Sequence, residues 1–325
     1  MNDRYSRQIL VPKVGAEGQL KIEQANVLIV GAGGLGCTVA AQLAGAGVGC
    51  ITIIDHDVVD LSNLHRQILF REDDIGHSKA GVAAREIKRI NSTCKVNALN
   101  QRLSTRNVSH LVESADLVVD AADNFATSYL LSDACVLAKR ALISASVNRT
   151  FGYVGQFCAS GPSLRAVFPR LPLLQASCNT VGVTGPSVGV IASIQAQEVI
   201  KFCLGDPSQL SGKLLYLDVW DYTQQLIDFN GTAEPTEAAL KLLGPDQLDS
   251  DSLVLDVRSQ SEVAAAPHSF NNQRNIPLEE LAAFAVELGK DTVIACACAS
   301  GQRAITAGQQ LLNMGFSDVS AVIPD

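Results

Sequence analysis

Three glycines in the pattern Gly31-x-Gly33-x-x-Gly36 directly follow an apolar run at residues 26–30, and a second apolar run ends at Asp55. Glycines let the backbone approach a phosphate closely, and the amide groups at the start of a helix attract its negative charge. An acidic residue at the end of the next strand accepts hydrogen bonds from a ribose. This loop predicts a nucleotide site, and taken alone it favours NAD or FAD over ATP.

The segment after the second apolar run carries groups that a dehydrogenase does not need. Asp57, Asn63, Arg66 and Gln67 follow closely, and Lys79 lies at the start of the next predicted helix. Amide donors and positive charges beyond the strand ends suit a triphosphate, because nucleotidyl transfer requires neutralisation of developing negative charge. The alternative is a solvated surface loop. We interpret this segment as favouring ATP over a dinucleotide.

Near the C-terminus, Cys298 lies between a predicted strand and a predicted helix, in the segment 298–303 (CASGQR). Backbone amides and a helix N-terminus stabilise a thiolate or a persulfide at such a place, and Arg303 adds positive charge. We therefore predict that Cys298 is reactive and that Cys296, on the strand, is an inert core residue. Six other cysteines are interpreted as buried small apolar residues: Cys37, Cys50, Cys94, Cys135, Cys158 and Cys203.

The elements that must position these residues alternate between strands and helices. Apolar runs predict strands at 26–30, 50–54, 95–99, 116–120 and 142–145, and helical spacing predicts helices at 37–46, 78–90, 106–112 and 125–138. This alternation indicates an α/β fold with a doubly wound, Rossmann-like, mostly parallel sheet. Short strands, a Pro-rich stretch, a helix at 187–202 and two further strands follow.

A smaller α/β pattern then begins. Its predicted strands are 253–257, 292–295 and 319–322, and its predicted helices are 278–288 and 302–314. A chain of 325 residues is long enough for about two domains. We predict a first domain over residues 1–230, a linker over 231–243 and a second domain over 244–325.

The bulk composition excludes several classes of protein. Hydrophobic residues make up 47% and charged residues 18%, which is typical of a chain with a buried core. A net charge of −8 leaves no broad basic surface, so we do not expect a nucleic-acid partner. Nine scattered cysteines indicate reduced thiols, and hence a cytoplasmic location. We expect neither a secretory signal nor a membrane-spanning segment.

Five ordered motifs resemble the MoeB/ThiF family of ubiquitin-activating-enzyme-like adenylyltransferases. They are residues 4–8 (RYSRQ), 31–36 (GAGGLG), 55–67 (DHDVVDLSNLHRQ), 76–79 (GHSK) and 120–124 (DAADN). The match covers residues 1 to 229 and includes two later segments, 182–186 (GVTGP) and 195–201 (QAQEVIK).

The resemblance implies a role for each motif. Arg7, Arg66 and Lys79 would contact the triphosphate, with Arg7 reaching across a homodimer interface. Asp123 would hold Mg²⁺, a hard cation that prefers oxygen ligands. ATP would then activate the C-terminal glycine carboxylate of a ubiquitin-fold sulfur-carrier protein ending in Gly-Gly. The implied nucleotide-binding residues are Gly31, Gly33, Gly34, Gly36, Asp55, Asp57, Asn63, Arg66, Gln67 and Lys79.

The sequence departs from the family pattern in two places, and a third position has two interpretations. Many relatives hold a structural zinc with two Cys-x-x-Cys pairs, but the matching segment here is 163–169 (SLRAVFP), so we predict no zinc site. Ser128 stands where relatives often carry arginine. Cys178 matches a family cysteine that forms an acyl-disulfide in some members, and a resolving thiol and a passive loop cysteine both remain open.

The second domain resembles a rhodanese-like sulfurtransferase domain, through the segments 253–258 (LVLDVR), 275–278 (NIPL) and 298–303 together with Glu262. This resemblance implies that Cys298 carries a persulfide received from a cysteine desulfurase or another sulfur donor. The Gly-His-Ile segment that is usual in this family is replaced around residues 267–269. The usual closing Gly-Gly and Trp are also not found before Asp325. We therefore expect a trimmed domain.

These observations together predict an enzyme that adenylates a sulfur carrier and then makes its thiocarboxylate. One alternative is an adenylyltransferase whose second domain only docks the carrier or the donor. An NAD- or FAD-dependent oxidoreductase and a non-catalytic scaffold are alternatives from other classes. The sequence leaves the carrier and the receiving pathway open.

Overall fold

The computed structural model describes residues 3–169, 182–235 and 240–325. The first domain contains eight strands: β1 (Asn26–Val30), β2 (Cys50–Ile54), β3 (Lys95–Leu99), β4 (Leu117–Asp120), β5 (Ala141–Asn148), β6 (Phe151–Cys158), β7 (Lys213–Asp218) and β8 (Thr223–Asp228). They form one sheet in the order β3-β2-β1-β4-β5-β6-β7-β8. The order reverses beside β1, so the carboxyl ends of β1 and β4 border a crevice in which α/β proteins bind ligands.

Helices cover both faces of this sheet. They are α1 (Ser6–Ile9), α2 (Gly15–Gln24), α3 (Gly34–Ala46), α4 (Lys79–Ile90), α5 (Val108–Glu113), α6 (Phe125–Ala138), α7 (Leu164–Val167) and α8 (Gly185–Leu204). Strand β1 shows how they share the sheet. Val27 and Ile29 pack with α3, α4 and α8, whereas Leu28 and Val30 pack with α5 and α6 on the opposite face. A strand buried on both faces must be a continuous apolar run, which is the pattern of residues 26–30.

Strands β1 to β5 are parallel, and β5 to β8 continue the sheet in antiparallel fashion. The sequence suggested only short strands after Gly152, but β6 is one eight-residue strand paired along the whole of β5. Helix α8 has the length and mean hydropathy of a membrane-spanning helix. It packs against α3, β5 and β6, and Ile191 and Val199 are fully buried, which is the environment of a core helix.

The second domain contains the strands β9 (Lys241–Leu243), β10 (Leu253–Asp256), β11 (Gln273–Asn275), β12 (Ile294–Ala297) and β13 (Val319–Val322). They form a parallel sheet in the order β11-β10-β12-β13-β9. Its helices are α9 (Gln260–Ala265), α10 (Leu281–Ala285) and α11 (Gln302–Asn313). The predicted α/β class is thus confirmed in both domains.

Two details of the second domain differ from the prediction. Residues 241–243 form β9, although their sequence predicts part of the linker, and Leu240 is buried against Gly308 of α11. Helix α10 has five residues instead of the predicted eleven. Strands of three residues carry too little alternation to be recognised, and the apolar spacing over 278–288 comes partly from turns that flank the short helix.

Candidate active site

The glycine loop joins β1 to α3 and depends on close backbone contacts. Gly31 has a φ of +97°, and a Cβ atom there would lie 2.6 Å from the Ala121 carbonyl oxygen. A Cβ atom at Gly36 would overlap the Gly31 carbonyl oxygen. Gly33 is different, because a Cβ atom there would meet nothing within 4 Å. Gly31 and Gly36 therefore shape the turn, while Gly33 borders open space in front of the start of α3.

Asp55 ties the end of β2 to the glycine loop. One carboxylate oxygen accepts the Ala32 N–H at 2.7 Å, and the other accepts the Asp57 N–H at 2.8 Å. Burial raises the pKa of Asp55, although these two hydrogen bonds oppose the shift. The predicted ribose acceptor thus also organises the loop, and each oxygen keeps a second lone pair that can accept from a hydroxyl group.

Lys79, at the start of α4, is held by Asp57. Its ammonium group lies 2.9 Å from the Asp57 carboxylate, and its side chain is only 8% exposed. Partial burial works to raise the pKa of Asp57, but Lys79, His56 and Arg102 together hold it below its ordinary value. Asp57 is its one carboxylate partner within the described parts of the chain, so this buried ammonium can act as a counter-charge for an anion that enters beside it.

Arg66 and Gln67 follow a short 3₁₀ helix, Leu61–Asn63. Arg66 Nη1 donates to the Ser62 carbonyl oxygen at 3.0 Å and lies 2.9 Å from a ring nitrogen of His65. Gln67 is buried, and among the described residues its side-chain oxygen has no hydrogen-bond partner. An orphaned buried acceptor costs stability, which is typical of a group that a ligand satisfies.

Asp123 follows β4 at the carboxyl edge of the sheet. It is exposed, and the Asn124 amide approaches its Oδ1 atom at 3.4 Å. Asn124 also caps α6 by accepting the Thr127 N–H at 2.9 Å. Ser128, the position with a departure from the family pattern, is buried one turn into the same helix. The loop after β4 therefore fixes the backbone beside Asp123 and leaves its carboxylate open to solvent.

These residues surround one cavity of about 700 Å³, a volume typical of nucleotide and small-molecule sites. The predicted residues that line it are Gly31, Gly33, Gly34, Asp55, Asp57, Asn63, Arg66, Gln67, Lys79 and Asp123. Gly36 supports the loop from behind. Arg7 is exposed on α1 and does not line the cavity, so its predicted role across a dimer interface stays a prediction.

Sequence reasoning missed a second set of cavity residues. Arg102 follows β3 and approaches His56 at 2.8 Å, while Asn148 ends β5 and Arg149 follows it. Arg149 has a φ of +55°, which is uncommon for a residue other than glycine. All three lie at or just beyond the carboxyl ends of strands, so the rule that ligands bind at this edge was the available signal.

Cys298 lies directly after β12 and is 3% exposed. The Ala304 N–H, in the first turn of α11, donates to its Sγ atom at 3.3 Å. Arg303 forms a bidentate ion pair with Glu262, at 2.6 and 2.8 Å, which lowers the pKa of Glu262 to about 2. The positive charge of Arg303, which we expected to act on Cys298, is therefore partly neutralised by Glu262. Burial raises the pKa of Cys296, in keeping with an inert core thiol.

Two other places singled out in the sequence are Cys178 and the segment that begins at Ser163. Cys178 lies outside the described residues, and its role stays open. In the segment that matches the zinc-binding place of relatives, Ser163 donates its backbone N–H and its hydroxyl to the Glu234 carboxylate, at 2.7 and 2.6 Å. These hydrogen bonds attach the segment after β8 to the start of α7.

The fold and the cavity together define a nucleotide-binding α/β protein with a second domain that presents a thiol after a parallel strand. The sequence profile of the ThiF family matches residues 5–237, and that of the rhodanese-like domain matches residues 236–323. The chain therefore belongs to the ThiF family and carries a C-terminal rhodanese-like domain. This result removes the main support for an NAD- or FAD-dependent oxidoreductase.

Curated relatives match from 66% to 95% of this chain. The "Adenylyltransferase and sulfurtransferase MOCS3" of Culex quinquefasciatus is 46% identical over 218 residues, which are 66% of this chain and 50% of that protein. The protein of the same name from Drosophila willistoni is 35% identical and matches 95% of this chain and 78% of its own length. The Sus scrofa protein of the same name is 38% identical and matches 86% of this chain and 70% of its own length. The chain spans about half the length of the first of these relatives.

Solved structures support the same assignment. E. coli MccB with ATP has a TM-score of 0.64 and 26% identity, over 74% of this chain and 74% of that chain. PaaA has a TM-score of 0.59 and 25% identity, over 70% of this chain and 72% of that chain. Both likenesses agree with the architecture of the first domain.

Proposed function

We propose that the chain uses ATP to adenylate the C-terminal glycine carboxylate of a ubiquitin-fold sulfur carrier and then converts the acyl-adenylate into a thiocarboxylate. One observation carries the proposal. The cavity brings the glycine loop, Lys79, Arg66 and Asp123 to one edge of the sheet, and Ser300, from the loop that begins at Cys298, lines the same cavity. The printed names of the relatives and the MccB structure with ATP support it.

In the first step, a carboxylate oxygen of the carrier attacks the α-phosphorus of ATP, and pyrophosphate leaves. The backbone at Gly31 and Gly33 would receive the phosphates, and the carboxylate of Asp55 would accept from the ribose. Lys79 and Arg66 would neutralise charge on the triphosphate as the bond to pyrophosphate breaks. Lys79 would exchange its contact with Asp57 for one with a phosphate oxygen.

Asp123 is the residue we propose as a ligand of Mg²⁺. Its carboxylate is exposed in the cavity, and Mg²⁺ in such sites commonly takes one or two carboxylate ligands together with substrate phosphates and water. The donor set therefore fits. When bound, the cation would neutralise phosphate charge and help to align the α-phosphate.

In the second step, a persulfide on Cys298 attacks the carbonyl carbon of the acyl-adenylate, and AMP leaves. The product is an acyl-disulfide between carrier and enzyme. A thiolate then attacks the Cys298 sulfur, which releases the thiocarboxylate and leaves a disulfide that external thiols reduce. We propose Cys178 as the attacking thiol, because it occupies the matching family position. A cysteine desulfurase or another persulfide donor would reload Cys298.

The test of this proposal is the mass of the carrier after incubation with enzyme, ATP, Mg²⁺ and a persulfide donor. We expect wild-type enzyme to replace one oxygen of the carrier terminus by sulfur and a Cys298→Ser variant to leave the carrier unchanged. Cys50→Ser, at a partly buried thiol far along the chain from Cys298, is the matched control. Undiminished sulfur incorporation by Cys298→Ser would instead favour a second domain that only docks its partners.

We also propose that the enzyme is a cytoplasmic homodimer. A shallow groove beside α8 exposes Ile68 and Val190, and exposed apolar side chains that lie together are common at interfaces between subunits. The eight cysteines within the described residues are free thiols, in keeping with a reducing compartment. The mass of the protein in solution, measured by light scattering with an Ile68→Glu variant as comparison, tests the dimer.

A further inference from the structure

The second domain supplies part of the wall of the adenylation cavity. Ser300 reaches it from the loop after β12, and Ile323 and Pro324 reach it from the segment after β13. These two segments are far apart in sequence and meet where Gly301 packs beneath Ile323. The cavity is therefore a composite of both domains, which no motif of either domain alone indicates.

Apolar packing holds this wall in place. A Cβ atom at Gly301 would lie 3.4 Å from the Ala126 Cβ atom, at the start of α6 and only three residues after Asp123. Ile323 is 4% exposed and belongs to the same apolar cluster as Ala126 and Leu103 of the first domain. The wall and the carboxylate that we propose as the Mg²⁺ ligand therefore line the same cavity.

Arg106 of the first domain also forms two ion pairs with the second domain. Arg106, shortly before α5, lies 3.2 Å from the carboxylate of Asp246 and 3.2 Å from that of Asp325. All three side chains are partly exposed, and ion pairs of this kind are worth about 0–1 kcal/mol each. They therefore add little to the attraction between the two domains beside the apolar contacts.

We propose that the second domain has a function separate from its thiol: Ile323 and Pro324 form a wall that keeps water from the acyl-adenylate. This inference rests on the proposed function. The acyl-adenylate is a mixed anhydride, so water attacks its carbonyl carbon, the carbonyl carbon–oxygen bond to phosphate breaks, and the products are carboxylate and AMP. Each such event uses one ATP without transfer of sulfur. An apolar wall lowers the local concentration of water and so protects the intermediate.

The thiol itself does not form this wall. Cys298 is buried, and Ser300 is the residue of its loop that borders the cavity. Shielding and sulfur transfer therefore depend on different residues, and the two can be separated by experiment. Pro324 is half-buried and Asp325 is exposed, so removal of these two residues should disturb the core little.

The test measures AMP released per pyrophosphate exchanged, with ATP, Mg²⁺ and a Gly-Gly carrier but without a sulfur donor. The first variant ends at Ile323 and so removes Pro324 and one partner of Arg106. The second, Arg106→Glu, disturbs docking from the first domain and keeps every wall residue. Asp318→Ala is the matched control, because Asp318 pairs with Lys241 on the surface of the second domain.

We expect the ratio to rise by about tenfold in the shortened chain, which corresponds to about 1.4 kcal/mol in the barrier to hydrolysis. Arg106→Glu should raise the ratio in the same direction, and Asp318→Ala should match wild type. If pyrophosphate exchange is present and the ratio is unchanged both in the shortened chain and in Arg106→Glu, the proposal that the wall excludes water is wrong. The proposed function is then unaffected. Absence of exchange in the wild-type enzyme with every carrier contradicts the proposed function itself.

Discussion

Gly33 and Gly36 belong to one glycine motif, yet alanine should destabilise the protein at Gly36 and leave it as stable as wild type at Gly33. A methyl group at Gly36 would overlap the Gly31 carbonyl oxygen, and backbone cannot move aside as a flexible side chain can. Overpacking of this kind costs 1–3 kcal/mol, and we expect about 3 kcal/mol at this site. A domain of this size loses roughly 2–4 °C in melting temperature per kcal/mol. Gly36→Ala should therefore melt about 6–12 °C below wild type.

Gly33→Ala should fold normally and fail to bind ATP. Gly33 has a φ of −77°, which alanine adopts readily, and the added methyl meets no protein atom within 4 Å. Stability should stay the same or rise by up to about 1 kcal/mol. Because Gly33 lines the cavity, the methyl group would occupy space that a phosphate needs.

Thermal melting with and without ATP distinguishes the two variants. A ligand at 100 times its dissociation constant adds about 2.7 kcal/mol of stability, so wild-type protein should melt higher with saturating ATP. Gly33→Ala should melt like wild type without ATP and show no increase with it. A Gly36→Ala protein as stable as wild type, or a Gly33→Ala protein with the full ATP shift, would refute the assignment of the two glycines.

Two further predictions concern the second domain. Arg303 lowers the pKa of Glu262 from 4.5 to about 2, so the ion pair contributes its full stability at pH values above 4.5. This contribution is lost as the pH falls from 4.5 towards 2. The difference in stability between wild type and Glu262→Gln should thus shrink on acidification in urea titrations, and a constant difference would contradict it. Arg258→Met leaves the buried Asp256 carboxylate without its 2.6 Å partner and should cost about 3–5 kcal/mol. Adding Asp256→Asn should restore part of that loss, and no restoration would argue against an unpaired charge as the cause.

Long buried strands were predictable from the sequence, and short or edge strands were not. Strands β1 and β2 match their predicted bounds because each is a β-branched apolar run between a helix and a turn. Strand β11 (Gln273–Asn275) is polar and three residues long, so its place in the sheet depends on pairing with β10 and leaves no local pattern. Tertiary pairing, not propensity, decides such segments.

The candidate site divides in the same way. Asp57, Arg66 and Lys79 were predictable because they lie just beyond β2 in one short stretch of sequence. Asn148 and Ile323 were not, since they reach the cavity from distant strands and, for Ile323, from another domain. Packing between domains follows from matching surfaces, and no periodicity in the sequence reports it.

The most direct test of the central claim is pyrophosphate exchange into ATP in the presence of a purified carrier that ends in Gly-Gly. Asp123→Ala is the variant to compare, with Asp133→Ala, at a partly buried ion pair with Arg165, as a control. We expect carrier-dependent exchange by wild type and by Asp133→Ala, and its loss in Asp123→Ala. Exchange that persists in Asp123→Ala, or wild-type protein that neither binds ATP nor exchanges with any carrier, would contradict it.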